Sequence, residues 1–368
     1  MVQGRVGILA AAQTELRSAW DSAQHIDLIS AVVTSVFKGT GLGIDDVDFI
    51  IDSGSDVLDG RSISNCGFLG ALGAHHKEEA RVEEDGLWAA LYGVNKIRSG
   101  SSSVGLIVAY SKPSESRDLD LYWKSMVDPF YQRPVGFGHK AAFGIQAQRY
   151  LAAHEIETSD LAEIVARRWA AAAAGGGVEI DELPDAAAVL ASPEAAAPLT
   201  SMMLSRPMDG AVAILLGTEE IAERLGRQPV VVAGMGTSME TYAFSARSAG
   251  KLDSVAKAAA MASKASGWSA GEADIIELSA GSVVGELMAL EAMGAAAPGK
   301  ALKLAGSDRV NRSGGALPAD PIMATGLIRL AEAYRQLSRE RNGAGRRAIV
   351  HGTGGVAMQT NCVFNLEV

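Results

Sequence analysis

Short apolar runs and helix-period segments alternate along most of the chain. The run in "GRVGILAAAQTEL" reads as a buried strand, and "AQHIDLISAVVTSVFKGTGL" places apolar residues at helical spacing before Gly39 and Gly41, where a helix would stop. "IDDVDFIIDSGS" predicts a strand running into a polar loop. "DGLWAALYGVNKIRSG" predicts a helix with Trp88, Leu91 and Val94 on one side, closed by Gly100, and "SVGLIVAYSKP" a second buried strand. After a helix pair over 143–175 and a Pro-punctuated polar stretch, "DGAVAILLGTEEIAERL" gives another strand and the start of a helix.

From "QPVVVAGMGTSME" the pattern begins again. A strand over 229–235, a helix over 251–266 and a strand in "ADIIELSAGS" lead to a helix through Met288, a glycine-rich loop, a helix over 322–341 and two closing strands. The repeated order predicts an α/β protein made of two similar halves, 1–225 and 226–368, with a largely buried sheet. Residues 115–145 break the rhythm. Their aromatics, prolines and glycines read as a long surface loop, and a loop of that length is more often functional than idle.

Composition narrows the function. A formal net charge of −10 argues against a nucleic-acid binder, which needs clustered Lys and Arg. The two cysteines, Cys66 and Cys362, have no partners at metal-ligand spacing, so no metal site is expected; their low number, with no export signal, fits a reducing cytoplasm. No run reaches the roughly 18 apolar residues needed to span a membrane.

Four segments, in this order, carry a resemblance. "DGLWAALYGVNKIRSG" looks like the helix after the thiolase nucleophile, and "LASPEAAAPLTSMMLSRPMDGAVAILLGTEEIAERL" like the family's mid-chain segment. "GGALPADPIMATG" resembles the His-Pro loop, and "HGTGGVAMQ" the C-terminal glycine-rich loop. The chain therefore resembles the thiolase superfamily over nearly its whole length, with sterol-carrier-protein-type thiolases the nearest branch. The resemblance implies a duplicated thiolase fold, layered αβαβα, with two mixed sheets and a long loop excursion in the first half.

The family's catalytic residues are replaced. The cysteine position, three residues before Gly86, holds Glu83; the histidine of the His-Pro pair falls on Asp320; the second cysteine falls on His351. The second-half oxyanion motif aligns with "ELSAGS", on Ser279 or Ala280. A glutamate is a poor substitute for a low-pKa thiol in thioester exchange, so covalent thiolysis is not expected. Carboxylates beside an imidazole instead suit proton transfer, as in retro-aldol cleavage of a β-hydroxyacyl-CoA, with backbone N–H groups at Gly354 and Gly355 steadying the enolate oxygen.

This is similar to the cysteine-less thiolase-like aldolases that shorten steroid side chains, which pair with a small zinc-ribbon and OB-fold protein and use a tyrosine where this chain has His351. Arg133, His139 and Lys140 are candidates for coenzyme A phosphates, and Phe130, Tyr131 and Phe137 for an acyl tunnel or a subunit interface. The expectations are an acyl-CoA substrate, no covalently bound cofactor, a homodimer with that small protein or an active thiolase subunit as further partner, and a cytoplasmic location. The rival reading is a catalytically silent subunit that binds acyl-CoA or scaffolds an active partner.

Overall fold

The computed structural model describes residues 4–226, 229–339 and 345–368. The first half supplies strands β1 (Val6–Gln13), β2 (Phe49–Ser53), β3 (Glu78–Val82) and β4 (Val104–Ser111), a small hairpin of β5 (Glu194–Ala196) and β6 (Leu199–Thr200), and β7 (Gly210–Thr218). Its helices are α1 (His25–Val36), α2 (Asp56–Asp59), α3 (Leu69–Leu72), α4 (Gly86–Arg98), α5 (Leu119–Ser125), α6 (His139–His154), α7 (Thr158–Gly175), α8 (Ala186–Ala191) and α9 (Glu219–Arg224). The second half adds β8 (Val230–Met239), β9 (Ile275–Leu278), β10 (Arg347–Gly354) and β11 (Thr360–Glu367). With them come α10 (Asp253–Ser266), α11 (Val283–Ala292), α12 (Ala301–Ala305) and α13 (Thr325–Arg339). The helix expected over 322–341 thus begins at Thr325, and its last two expected positions lie outside the described residues.

The strands lie in the order β3-β2-β4-β7-β1-β8-β11-β10-β9. The two mixed sheets expected from the sequence run together, because β1 and β8 share a short antiparallel ladder at Gly7–Val231 and Ile8–Val230. Parallel and antiparallel pairs coexist: β2 is parallel to β3 and β4, whereas β4 is antiparallel to β7.

Hydrophobic burial sets the layers. On one outer face α1 packs on β1, β4 and β7 through Leu28, Ile29, Val32 and Val36. In the middle α4 and α13 pack on each other, α4 against the first-half strands and α13 against β9 and β10. On the far face α10 lies on β8 and β11. This is αβαβα layering, and it explains why β4 is buried at every position: both of its faces are covered. Close approach explains the glycines of β8. A Cβ on Gly234 or Gly236 would fall 2.1 Å from a backbone oxygen of α10, Ala262 O or Ala258 O, so the helix rests directly on the strand.

Several elements escape the sequence pattern, β3 and α5 among them. β3, "EEARV", is a polar outermost strand with no apolar alternation to announce it. The excursion over 115–145 is not all loop: Asp118 caps α5 by accepting from Asp120 N and Leu121 N, and α5 turns Tyr122 inward. Among the described residues, no helix is long and apolar enough to cross a membrane.

Candidate functional site

The loop over 313–326 folds back onto the start of α4. Gly86 N donates to Met323 O at 2.8 Å, and Gly326 N donates to Asp85 Oδ2 at 2.7 Å. Asp85 also accepts from Leu87 N at 2.9 Å as the N-cap of α4. One buried carboxylate therefore ties the first turns of α4 and α13 together, where the helix dipoles favour negative charge. Burial pushes its pKa up to about 8 against the pull of the two backbone donors, and the neighbouring Glu84 and Asp320 carboxylates add to the rise.

Next to this junction lies a cavity of about 370 Å³. Its walls come from both halves: Glu84, Asp85 and Tyr122 from the first, and Ser279, Asp320 and the turn from Thr353 to Thr360 from the second. Among the described residues, no lysine or arginine lines it. Glu84 Oε1 accepts from Asp85 N at 3.2 Å and Oε2 from Thr360 Oγ1 at 3.1 Å. Burial raises the Glu84 pKa, and these two donors offset only part of the rise. A Cβ on Gly354 would sit 1.8 Å from Glu84 Oε1, so only glycine leaves room for this carboxylate.

Asp320 is held by two hydroxyls: Thr325 Oγ1 donates to Oδ1 and Ser205 Oγ to Oδ2, each at 2.6 Å. Burial raises its pKa too, while the hydroxyls and the Arg329 charge pull it down. The Tyr122 phenol is kept protonated chiefly by burial, reinforced by Glu84, Glu83 and Asp320. Buried carboxylates this close together favour sharing protons over full ionisation, as general acid/base chemistry requires.

Of the residues singled out in the sequence, Asp320, Ser279, Gly354, Gly355, His139 and Glu83 all line this cavity. Glu83 stays at its exposed mouth, accepting from Asp56 N at 2.7 Å and Arg81 Nε at 3.3 Å, whereas Glu84 points inward. His351 does not line the cavity. Its ring is buried on the α10 face of the sheet, with Nε2 at 2.9 Å from Asn361 Oδ1, and Asn361 Nδ2 donates to Ser254 Oγ of α10 at 2.7 Å. Burial holds the His351 pKa down at about 4, so it is a neutral interior residue.

Arg133 donates to the carbonyls of Lys124 and Ser125, and Lys140 pairs with Asp120 at 3.0 Å on the surface. Neither lines a larger groove of about 1090 Å³ beyond the cavity, which instead carries Arg149, Arg247 and Lys251 with Tyr131, Phe137 and Phe244. Helix α6 serves both spaces, the cavity through His139 and Phe143 and the groove through Ile145 and Arg149.

Neither cysteine offers a nucleophile in the cavity. Cys66 is exposed and outside the lining, and Cys362 is buried in β11, where burial and the nearby Asp85 and Glu84 charges push its thiol pKa well up. Among the described residues, no group of three or more His, Cys, Asp or Glu is placed to hold a metal ion.

Fold and relatives agree. Residues 236–365 match the family model "Thiolase C-terminal domain-like". The whole chain has the thiolase fold: human mitochondrial 3-ketoacyl-CoA thiolase superposes with a TM-score of 0.76 at 15% identity, covering 100% of both chains. The same human enzyme in complex with CoA gives 0.75 at 16% identity, over 100% of this chain and 98% of that one. The "Ltp2-ChsH2(DUF35) aldolase" gives 0.78 at 17% identity, over 100% of this chain and 99% of that one. In sequence, the chain is 27% identical over 234 residues to benzoylsuccinyl-CoA thiolase subunit BbsB of Thauera aromatica, a stretch spanning 58% of this chain and 59% of that relative. The chain is thus a thiolase-fold protein related to a thiolase subunit.

Proposed function

We propose that the protein is an acyl-CoA lyase of retro-aldol type, cleaving a C–C bond by proton transfer without an acyl-enzyme. The observation that carries this reading is the pair of cavity carboxylates, Glu84 and Asp320, in a site with no thiol. Asp320, with two hydroxyl donors and the Arg329 charge lowering its pKa, is the base. Glu84, whose two donors act without the help of a cation against its burial, is the acid.

Asp320 takes the proton of the β-hydroxyl of a β-hydroxyacyl-CoA. The O–H electron pair becomes the new carbonyl bond, the Cα–Cβ bond breaks, and its electrons pass to Cα as the enolate of the shortened acyl-CoA. Glu84 gives its proton to Cα, and exchange with solvent returns both carboxyls to their starting states. The coenzyme A moiety lies in the larger groove, where Arg149 and Lys251 suit its phosphates and Tyr131 and Phe137 its apolar contacts. A partner chain fits the relatives' names, one a thiolase subunit and one an aldolase with a paired name. A homodimer pairs through the outermost strand β3, and a small zinc-ribbon and OB-fold protein is the candidate second chain.

The test is a pair of assays on protein treated with iodoacetamide. The expected result is release of a carbonyl product and a shorter acyl-CoA from a β-hydroxyacyl-CoA, with no thiolysis of a 3-ketoacyl-CoA. Thiolysis that alkylation abolishes would overturn the reading.

A further inference from the structure

We propose that His139 donates a hydrogen bond from Nε2 to the thioester carbonyl oxygen of the bound acyl-CoA. The proposal rests on the acyl-CoA lyase reading and adds to it the group that stabilises the enolate oxygen.

Three observations place this donor. The first is the grip on the ring. His139 opens α6, its imidazole stacks on Trp123 with centroids 4.0 Å apart and planes 9° apart, and it meets Phe143 edge-on at 4.3 Å. Aromatic walls on two sides fix the plane of the ring and the direction of its nitrogens.

The second is the tautomer. Ala357 N donates to Nδ1 at 3.2 Å. A backbone amide only donates, so Nδ1 carries a lone pair and the proton of the neutral ring is on Nε2. Burial, with the Lys140 charge beside it, holds the pKa down at about 3, so the ring stays a neutral donor through the physiological range. The amide that sets the tautomer belongs to a strained turn, in which Ala357 and Met358 take positive φ of 52° and 59°. That turn is pinned by Arg247 Nη1 on Val356 O at 2.8 Å and Asn361 Nδ2 on Met358 O at 2.9 Å. Strain held in place by several partners is a mark of functional sites.

The third is the space ahead of Nε2. A Cβ on Gly281, another cavity residue, would lie 3.3 Å from Nε2 and 2.5 Å from Phe143 Cζ, so the glycine keeps that space clear. Nε2 has no acceptor among the described residues, although it is the ring's only remaining polar atom. A fixed, neutral donor facing a cavity of carboxylates suits an oxygen that gains negative charge as the C–C bond breaks.

The experiment combines turnover with infrared spectroscopy of a bound acyl-CoA carrying ¹³C at the thioester carbonyl. In the wild type the C=O stretch should shift to lower wavenumber on binding. His139→Phe, which keeps an aromatic ring between Trp123 and Phe143, should lose that shift and about 10²–10³-fold in kcat, with substrate affinity changed only a few-fold. His139→Asn, which supplies an acceptor and a donor, should recover part of both. A shift and kcat unchanged in His139→Phe would overturn the role of His139 while leaving the lyase reading intact. A shift present in the wild type and lost in His139→Phe, without cleavage of any β-hydroxyacyl-CoA, would sustain the donor and sink the lyase reading. Should His139→Phe not fold, ¹⁵N NMR of the wild-type histidines decides: protonated Nε2 with bare Nδ1 supports the proposal, and a proton on Nδ1 overturns it.

Discussion

Glu84→Gln lowers kcat for β-hydroxyacyl-CoA cleavage by about 10²–10⁴-fold, the usual contribution of a positioned acid or base. The substitution is nearly isosteric. Its amide oxygen still accepts from Asp85 N, and its amide nitrogen donates to Thr360 Oγ1, which now accepts in place of donating. What disappears is the proton for Cα. The pH dependence separates the two carboxyls. Glu84 must be protonated and its pKa is raised by burial, so it sets the alkaline limb of the wild-type profile, and that limb is lost in Glu84→Gln. Asp320 must be ionised, and because its pKa is also raised, the acid limb stands above the ~3.9 of a free aspartate.

Stability moves the other way. A carboxyl whose folded pKa is raised contributes stability that is present below its unfolded pKa and lost as pH rises through its folded pKa. Glu84→Gln should therefore unfold at higher denaturant than the wild type at pH 8, with the difference shrinking toward pH 4. Denaturant titrations at the two pH values, beside a kcat profile, check both statements.

Glu286→Ala costs about 3–5 kcal/mol in denaturant unfolding, the range for removing one partner of a buried ion pair. Arg168 on α7 and Glu286 on α11 are each 1% exposed. The guanidinium meets the carboxylate through Nε, at 3.0 Å from Oε1, and through Nη2, which also donates to Ala305 O of α12 at 2.8 Å. Asn311 Nδ2 donates to Glu286 Oε2 at 2.8 Å, and Asn311 Oδ1 accepts from Leu278 N at 2.6 Å. The pair thus clamps helices to the start of the loop that carries Asp320. Removing the carboxylate leaves a buried cation and an amide without their acceptor. Replacing both charges together, as Arg168→Met with Glu286→Leu, should recover much of the loss, because no unpaired charge is then left inside.

The repeated strand and helix order was legible because β4 and β7 are continuous apolar runs and α1 and α4 are followed within a few residues by glycines with left-handed φ, Gly39 and Gly100. The loop of Asp320 was legible through its glycines and its Asp-Pro pair. Glu83 and Glu84 were not separable by counting, since neighbours in an extended segment point to opposite sides and the count back from Gly86 runs one residue past the inward one. His351 shows the same limit. On β10, Val350 faces α13 and His351 faces α10, and the glycines at 352, 354 and 355 give no side-chain alternation from which to read the face. Tyr122 was hidden because α5 is short and amphipathic only over its two turns, inside a stretch rich in loop residues.

The most direct test of the central claim is a crystal structure with an uncleavable β-hydroxyacyl-CoA analogue. The account predicts the β-oxygen within hydrogen-bond distance of Asp320, Cα facing Glu84, and the coenzyme A moiety in the groove of Arg149 and Lys251. A cavity closed at millimolar analogue, or a thioester seated away from both carboxylates, would contradict it.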